Sequence, residues 1–178
     1  MTDPFAILGV EPAFDLDLES IERRHRDLSR ALHPDRYAGR PGNERRQALS
    51  RAIEVNDAWR KLRDPVGRAE ALLGRLGVVV AEGQEPKATP ELLMDMMDKR
   101  ESLSEARRAH DLSAIERLAA EVRARQEGVL RELARGFSGA LAASGADGVA
   151  EILVEKLGEL RYCRRFLDEA AALAEEFA

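Results

Sequence analysis

His33 and Asp35, two residues apart across Pro34, are the side chains of this 178-residue chain whose types and spacing most invite a chemical reading. An imidazole beside a carboxylate is the raw material of a general-base pair, in which the ring takes up a proton. Such a pair works only when a third catalytic group, a phosphate cradle or a metal completes the site. Nothing of that kind lies within sequence reach. Proline fixes its own φ, lacks an amide donor and pushes the residue before it out of the α region, so His33-Pro34-Asp35 reads as an exposed tight turn. The expectation is a recognition element, with no enzymatic activity and no cofactor.

A second constellation follows Pro90. At about 100° per residue, Leu92, Met96, Leu103, Ala106 and His110 share one quadrant of a helix and are expected to face a core. Leu93, Met94 and Met97, with Asp98, Glu101 and Glu105, fall on nearly the opposite side. One helix of a three-helix bundle cannot easily bury both stripes. The second is therefore a candidate binding face, apolar at one end and acidic along its length, and unbranched methionines suit a surface that adapts to a partner. The alternative is that the start of this helix is covered by the N-terminal half. Cys163 is the only cysteine, which leaves no internal disulfide and no cysteine-rich zinc site and makes a packing or surface role the expectation. His25 and His110 fall on expected core faces, where packing is a commoner role than metal ligation.

The elements that must hold these groups follow from apolar spacing. Leu18, Ile21, His25, Leu28 and Leu32 recur at intervals of three and four, as do Leu49, Ala52, Ile53, Asn56, Trp59 and Leu62. Two amphipathic helices therefore meet at the His-Pro-Asp turn and are expected to pack antiparallel. Phe5, Ile7, Leu8 and Val10 form a short apolar segment, interrupted by Gly9 and Pro12, that suffices for a brief first helix; Asp15 or Asp17 can cap the second, and Asn43 is a candidate cap for the third. Asp64-Pro65 closes the third helix and opens a fourth, which Gly74 and Gly77 end. Residues 77–88 read as a linker, although the valines at 78–80 could dock on neighbouring helices. The expected domains are 1–76 and 89–178.

Thr89-Pro90-Glu91 opens the next helix with an oxygen cap, a proline at the first helical position and an acid that suits the helix dipole. That helix should run to about His110. Ser113 with Glu116 has capping-box spacing for a helix reaching roughly Gly136, and Ser138 to Gly148, small and glycine-rich, reads as a loop or a frayed helix end. Leu153, Leu157, Leu160, Arg164, Leu167, Ala171 and Ala174 then describe one long final helix.

Charge and composition restrict the partners. With 44% hydrophobic and 34% charged residues the chain fits a soluble protein, and few aromatics leave Leu, Ala, Ile and Met to build the interior. A net charge of −5 argues against nucleic acid. The charge is uneven: residues 23–75 carry fourteen Lys and Arg against seven Asp and Glu, and residues 76–178 fourteen against twenty. A basic half and an acidic half suggest two different protein partners. No apolar run reaches a membrane-spanning length and no signal pattern opens the sequence, so a cytoplasmic location is the expectation.

The basic helix carrying Arg23, Arg24, Arg26 and Arg30, followed by His33-Pro34-Asp35 and preceded by the opening Asp3 to Val10, resembles the J-domain of the DnaJ family. Further stretches resemble the HscB family of J-type co-chaperones of iron–sulfur cluster assembly. They are Val55-Asn56-Asp57-Ala58-Trp59, Arg68-Ala69-Glu70-Ala71-Leu72-Leu73 and Leu92-Leu93-Met94 through Arg100-Glu101-Ser102-Leu103. The resemblance implies an all-α protein, an N-terminal J-domain followed by a C-terminal three-helix bundle. It implies that Arg23, Arg24, Arg26, Arg30, His33, Pro34 and Asp35 engage a DnaK-type chaperone of the HscA kind and stimulate its ATPase. It further implies that Leu93, Met94, Met97, Asp98, Glu101, Glu105 and Tyr162 hold a scaffold protein of the IscU kind. A J-type co-chaperone with a different client is the alternative.

Overall fold

The computed structural model describes residues 3–78, 89–143 and 148–177 and divides the chain into two compact all-helical units, Met1–Gly77 and Val78–Ala178. The linker expected over 77–88 falls, from residue 79 on, outside the described residues, as do two of its three valines.

In the first unit, α1 (Pro4–Leu8) is capped by Asp3, whose side chain accepts from the Phe5 amide at 3.0 Å, and stops at Gly9 with φ of 64°. Helix α2 (Leu18–Ala31) is capped by Asp17. A 3-10 turn over Pro34–Tyr37 follows, then α3 (Gly42–Arg63) and α4 (Pro65–Arg75). Helices α2 and α3 form the antiparallel hairpin, with α1 and α4 packed against α3. Phe5, Leu8, Phe14, Ile21, Val55, Leu62, Leu72 and Leu73 fill the interior.

Two expectations for α3 are corrected. Its N-cap is Pro41, with no side-chain hydrogen bond, so Asn43 is not the cap. Its buried residues are Ala48, Val55, Ala58 and Leu62, whereas Leu49 and Ile53 are more than half exposed. Three helices crowd against α3, and the small side chains at 48 and 58 let them approach; the larger pair is turned outward. Leu18 at the start of α2 is also exposed.

The turn between α3 and α4 depends on close approach. Asp64 accepts from the amides of Val66 and Gly67, and a Cβ on Gly67 would lie 2.6 Å from the Lys61 carbonyl oxygen. Gly67→Ala is therefore expected to destabilise the first unit by about 1–3 kcal/mol or more, as overpacking does. Gly74→Ala, where nothing lies within 4 Å, should be neutral or stabilising by about 0.5–1 kcal/mol. Urea midpoints of the two variants check the contrast. Arg68, the next residue, is 7% exposed and donates to the Phe14 carbonyl at 2.7 Å while stacking over the Phe14 ring. Burial holds this guanidinium below its ordinary value, against the pull of Asp15 and Asp64.

The second unit comprises α5 (Pro90–Arg108), α6 (Leu112–Ala142) and α7 (Ala150–Phe177), with α5 packed on both longer helices. Thr89 caps α5. Asp111, rather than Ser113, caps α6 by accepting from the Ala114 amide at 2.9 Å, and the Ser113 hydroxyl donates to it. Helix α6 runs past Gly136 to Ala142, so the first residues of the expected loop or frayed end, Ser138 to Ala142, are helical. Gly136 sits where a Cβ would meet Leu153 of α7 at 2.7 Å, which makes it a packing glycine within a helix rather than a stop signal. On α7, Leu153, Leu157 and Leu160 are buried, but the buried series continues through Cys163, Phe166, Ala170 and Leu173. Arg164 and Ala171 are exposed, one residue out of phase with the expectation. His110 is exposed as well: it follows the end of α5 with φ of 51° and meets Phe177 edge-on.

Candidate functional site

The first unit presents a basic face leading to the turn. Arg23, Arg26 and Arg30 recur at three and four residues along α2 and form one exposed stripe that ends at His33. Arg24, about 100° round the helix, is exposed on another side with its guanidinium above Gly9. Of these arginines, Arg26 pairs with Glu22 at 3.9 Å. His33 caps the 3-10 turn: its Nδ1 accepts from the Asp35 amide at 3.4 Å and lies 3.4 Å from an Asp35 carboxylate oxygen. Pro34 occupies the first position of the turn, and all three residues are exposed. Beside them Ala31, Arg36, Tyr37, Arg40 and Glu44 line an open recess of about 340 Å³. Sequence reasoning passed over this recess, although Arg36 and Arg40 flanking the turn were a visible signal.

What keeps the stripe aligned is a clasp between α2 and α3. His25 Nε2 lies 2.9 Å from Asn56 Oδ1 and 3.3 Å from the Ser29 hydroxyl, and the imidazole stacks on Trp59 with ring centroids 5.3 Å apart. Asn56 and Trp59, three apart on α3, thus grip one side chain of α2. A hydrogen bond and a stacked ring together set the register of the hairpin.

In the second unit, Leu92, Met96, Leu103 and Ala106 of α5 are buried, while Leu93, Met94 and Met97 are 45%, 67% and 66% exposed. Asp98, Glu101 and Glu105 are exposed with them. The structure brings these six residues onto one side of α5. Tyr162 stands on α7, partly buried against the core cluster and in contact with Arg100 of α5. Glu105 also borders a groove of about 370 Å³ between α5 and α6.

The opposite side of α5 is anchored by charge. Arg125 of α6 donates to Asp95 of α5 at 2.7 Å and to Glu159 of α7 at 2.6 Å; Lys156 reaches Glu159 and Glu132, and Lys99 reaches Glu121. Burial raises the Glu159 carboxyl, but its hydrogen bonds to Arg125 and Lys156 outweigh that and hold it below the ordinary carboxylate value. Cys163, one turn on, is fully buried and its thiol is pushed up to about 11 by burial, the state of an inert packing residue.

A depressed carboxyl stabilises the fold above its unfolded value and ceases to as pH falls through the lower folded value. Acidification below about pH 4.5 should therefore lower the thermal midpoint of the second unit, and Glu159→Gln should flatten that part of the profile. Thermal melts between about pH 3 and pH 6 measure it. Among the described residues no group of His, Cys, Asp or Glu is arranged to hold a metal, and no helix is long and apolar enough to cross a membrane.

Comparison with known proteins matches these two halves separately and together. Residues 3–70 match the DnaJ domain, and residues 88–171 match the family described as the HSCB C-terminal oligomerisation domain. The co-chaperone protein HscB homolog of Neisseria meningitidis is 36% identical over 138 residues, 78% of this chain and 83% of that protein. The homolog of Azoarcus sp. (strain BH72) is 33% identical over 97% of this chain and 96% of its own length. Among solved structures, chaperone HscB from Vibrio cholerae superposes with a TM-score of 0.82 at 25% identity, covering 99% of this chain and all of that one. Human co-chaperone HscB shares the fold, with a TM-score of 0.84 at 23% identity over 97% of this chain and 82% of its own. With a J-domain at one end and the matching helical domain at the other, the chain belongs to the HscB family of co-chaperones.

Proposed function

We propose that the chain is a cytoplasmic adaptor with no catalysis of its own, joining an iron–sulfur cluster scaffold protein of the IscU kind to a DnaK-type chaperone of the HscA kind. Residues 1–76 form the chaperone-engaging domain, 77–88 the linker and 89–178 the scaffold-binding domain. Arg23, Arg24, Arg26 and Arg30 steer the chaperone onto the first domain, each contributing about 0–1 kcal/mol and screened by salt. His33, Pro34 and Asp35 bias the docked chaperone toward its hydrolysing conformation, a coupling between sites of the kind that links two ligands.

Leu93, Met94, Met97, Asp98, Glu101, Glu105 and Tyr162 hold the scaffold. Carrying both partners on one chain raises the local concentration of scaffold at the chaperone's peptide site. The observation that carries this reading is the exposure of three large apolar side chains on α5 beside a fully formed core on its other side. Steady-state ATPase measurements with purified chaperone test it: chain and scaffold together should stimulate more than either alone. A client of another kind recovered in a pull-down, with no effect of scaffold on the ATPase, would keep the co-chaperone role and replace the client.

A further inference from the structure

Leu49 and Ile53 belong by their side chains in a core, yet they are 57% and 53% exposed, one turn apart on α3. The clasp between α2 and α3 shows which way they point. His25 and Asn56 meet at the surface, so their contact marks the outward seam of the hairpin. Leu49 and Ile53 lie about 20° and about 60° round α3 from Asn56, on the side away from the buried Val55 and Ala58. On α2, Arg26 and Arg30 lie about 100° and about 140° round from His25, beyond Ser29 and away from the buried Ile21. Because the helices run antiparallel, one turn back from Asn56 on α3 is one turn forward from His25 on α2. Ile53 therefore stands level with Ser29, and Leu49 level with Leu32, next to the His-Pro-Asp turn. The apolar pair and the arginine stripe are the two banks of one outward seam that leads to the turn.

Two side chains are too few for an interface of their own, since a stable one takes about 20–30 residues a side. Within a larger surface they suit the centre, where apolar anchors lose their water inside a charged rim. The rim here is basic. Glu22 and Asp57 are each matched by an arginine, Arg26 at 3.9 Å and Arg60 at 3.4 Å, and Arg30 and Arg46 add two further exposed positive charges. A partner must bring an apolar segment set between carboxylates, and a second copy of this unit, basic on the same face, would be repelled.

We propose that Leu49 and Ile53 are apolar anchors of the chaperone-docking surface, which extends from α2 and the turn across the seam onto α3. They receive an apolar segment of the DnaK-type chaperone flanked by acidic side chains. This rests on the chaperone-engaging reading above and adds to it a second helix and a share of the affinity that salt does not screen.

The steady-state ATPase of purified DnaK-type chaperone, titrated with the full chain, tests the anchors. Leu49→Gln with Ile53→Gln is expected to raise the concentration giving half-maximal stimulation ~10-fold, with maximal stimulation kept because the turn is unaltered. That shift should persist at high salt, whereas the shift caused by Arg26→Gln with Arg30→Gln should shrink, since salt screens charge and not apolar burial. Leu49→Met with Ile53→Met, which retains apolar surface, should titrate like the unaltered chain. An unmoved titration of the Leu49→Gln, Ile53→Gln variant, when the arginine variant shifts, overturns the anchors and leaves the docking reading intact. Unmoved titrations of both overturn that reading as well. A urea midpoint lowered as by core truncation would assign the pair to packing, and sedimentation of the unaltered chain as a dimer that the Gln variant splits would assign it to a second copy; either result overturns the proposal.

Discussion

Replacement of His33 by Gln is expected to return the ATPase of the partner chaperone to its basal rate while leaving the chain folded and its scaffold affinity unchanged. Among the described residues the His33 side chain bonds within its own turn, to the amide and carboxylate of Asp35, and it is 58% exposed. Loss of a single exposed cap costs about 0.5–2 kcal/mol at most, so the circular dichroism spectrum should be unchanged and the thermal midpoint should move by only a few degrees. What is lost is the bias on the chaperone, which as a coupling energy of about 1–3 kcal/mol corresponds to roughly 5–150-fold in an equilibrium. Single-turnover ATP hydrolysis, with and without the variant, reads this directly. Undiminished stimulation by the variant would remove the turn from the mechanism.

The second large effect is expected on α5. Leu93, Met94 and Met97 replaced together by Ala should weaken scaffold binding by at least about 2 kcal/mol, roughly 30-fold, the loss typical of interface anchors. The same change should leave the urea midpoint of the second unit almost unmoved, since these side chains lie outside the core. Truncation of buried Leu or Met costs about 2–5 kcal/mol each, so the stability measurement separates a binding face from a packing face in the same three residues. Calorimetry with scaffold and equilibrium unfolding answer both halves. Unchanged affinity would dismiss α5 as the binding helix.

Both faces depend on what lies behind them. The His25–Asn56–Trp59 clasp holds α2 on α3, so the arginine stripe and the turn are presented as one rigid surface. Arg125, bonded to Asp95 and Glu159 at once, ties α5 to α6 and α7 and so decides which side of α5 faces outward. On the proposed function, residues such as Arg68, Gly67 and Glu159 are expected to support the two faces from behind.

Much of this was written locally in the chain. Helix positions followed from spacings of three and four, and Asp64-Pro65 and Thr89-Pro90 announced helix starts because caps and prolines act within one turn, whereas the choice of Asp17 over Asp15 was left to the structure. The division of α5 into a buried and an exposed stripe followed from spacing alone, and the His-Pro-Asp turn from the stereochemistry of proline. Tertiary structure decided the rest. Leu49 and Ile53 point outward and Ala48 and Ala58 inward because α3 is closely contacted by its neighbours, which the composition of α3 does not reveal. The buried series of α7 moves from Leu160 to Cys163 and Phe166 as the helix follows α6 and α5, and Gly136 belongs inside α6 because Leu153 needs its space. Short-range forces select the element, whereas the face that is buried depends on the shape of what packs against it, supplied by residues tens of positions away in sequence.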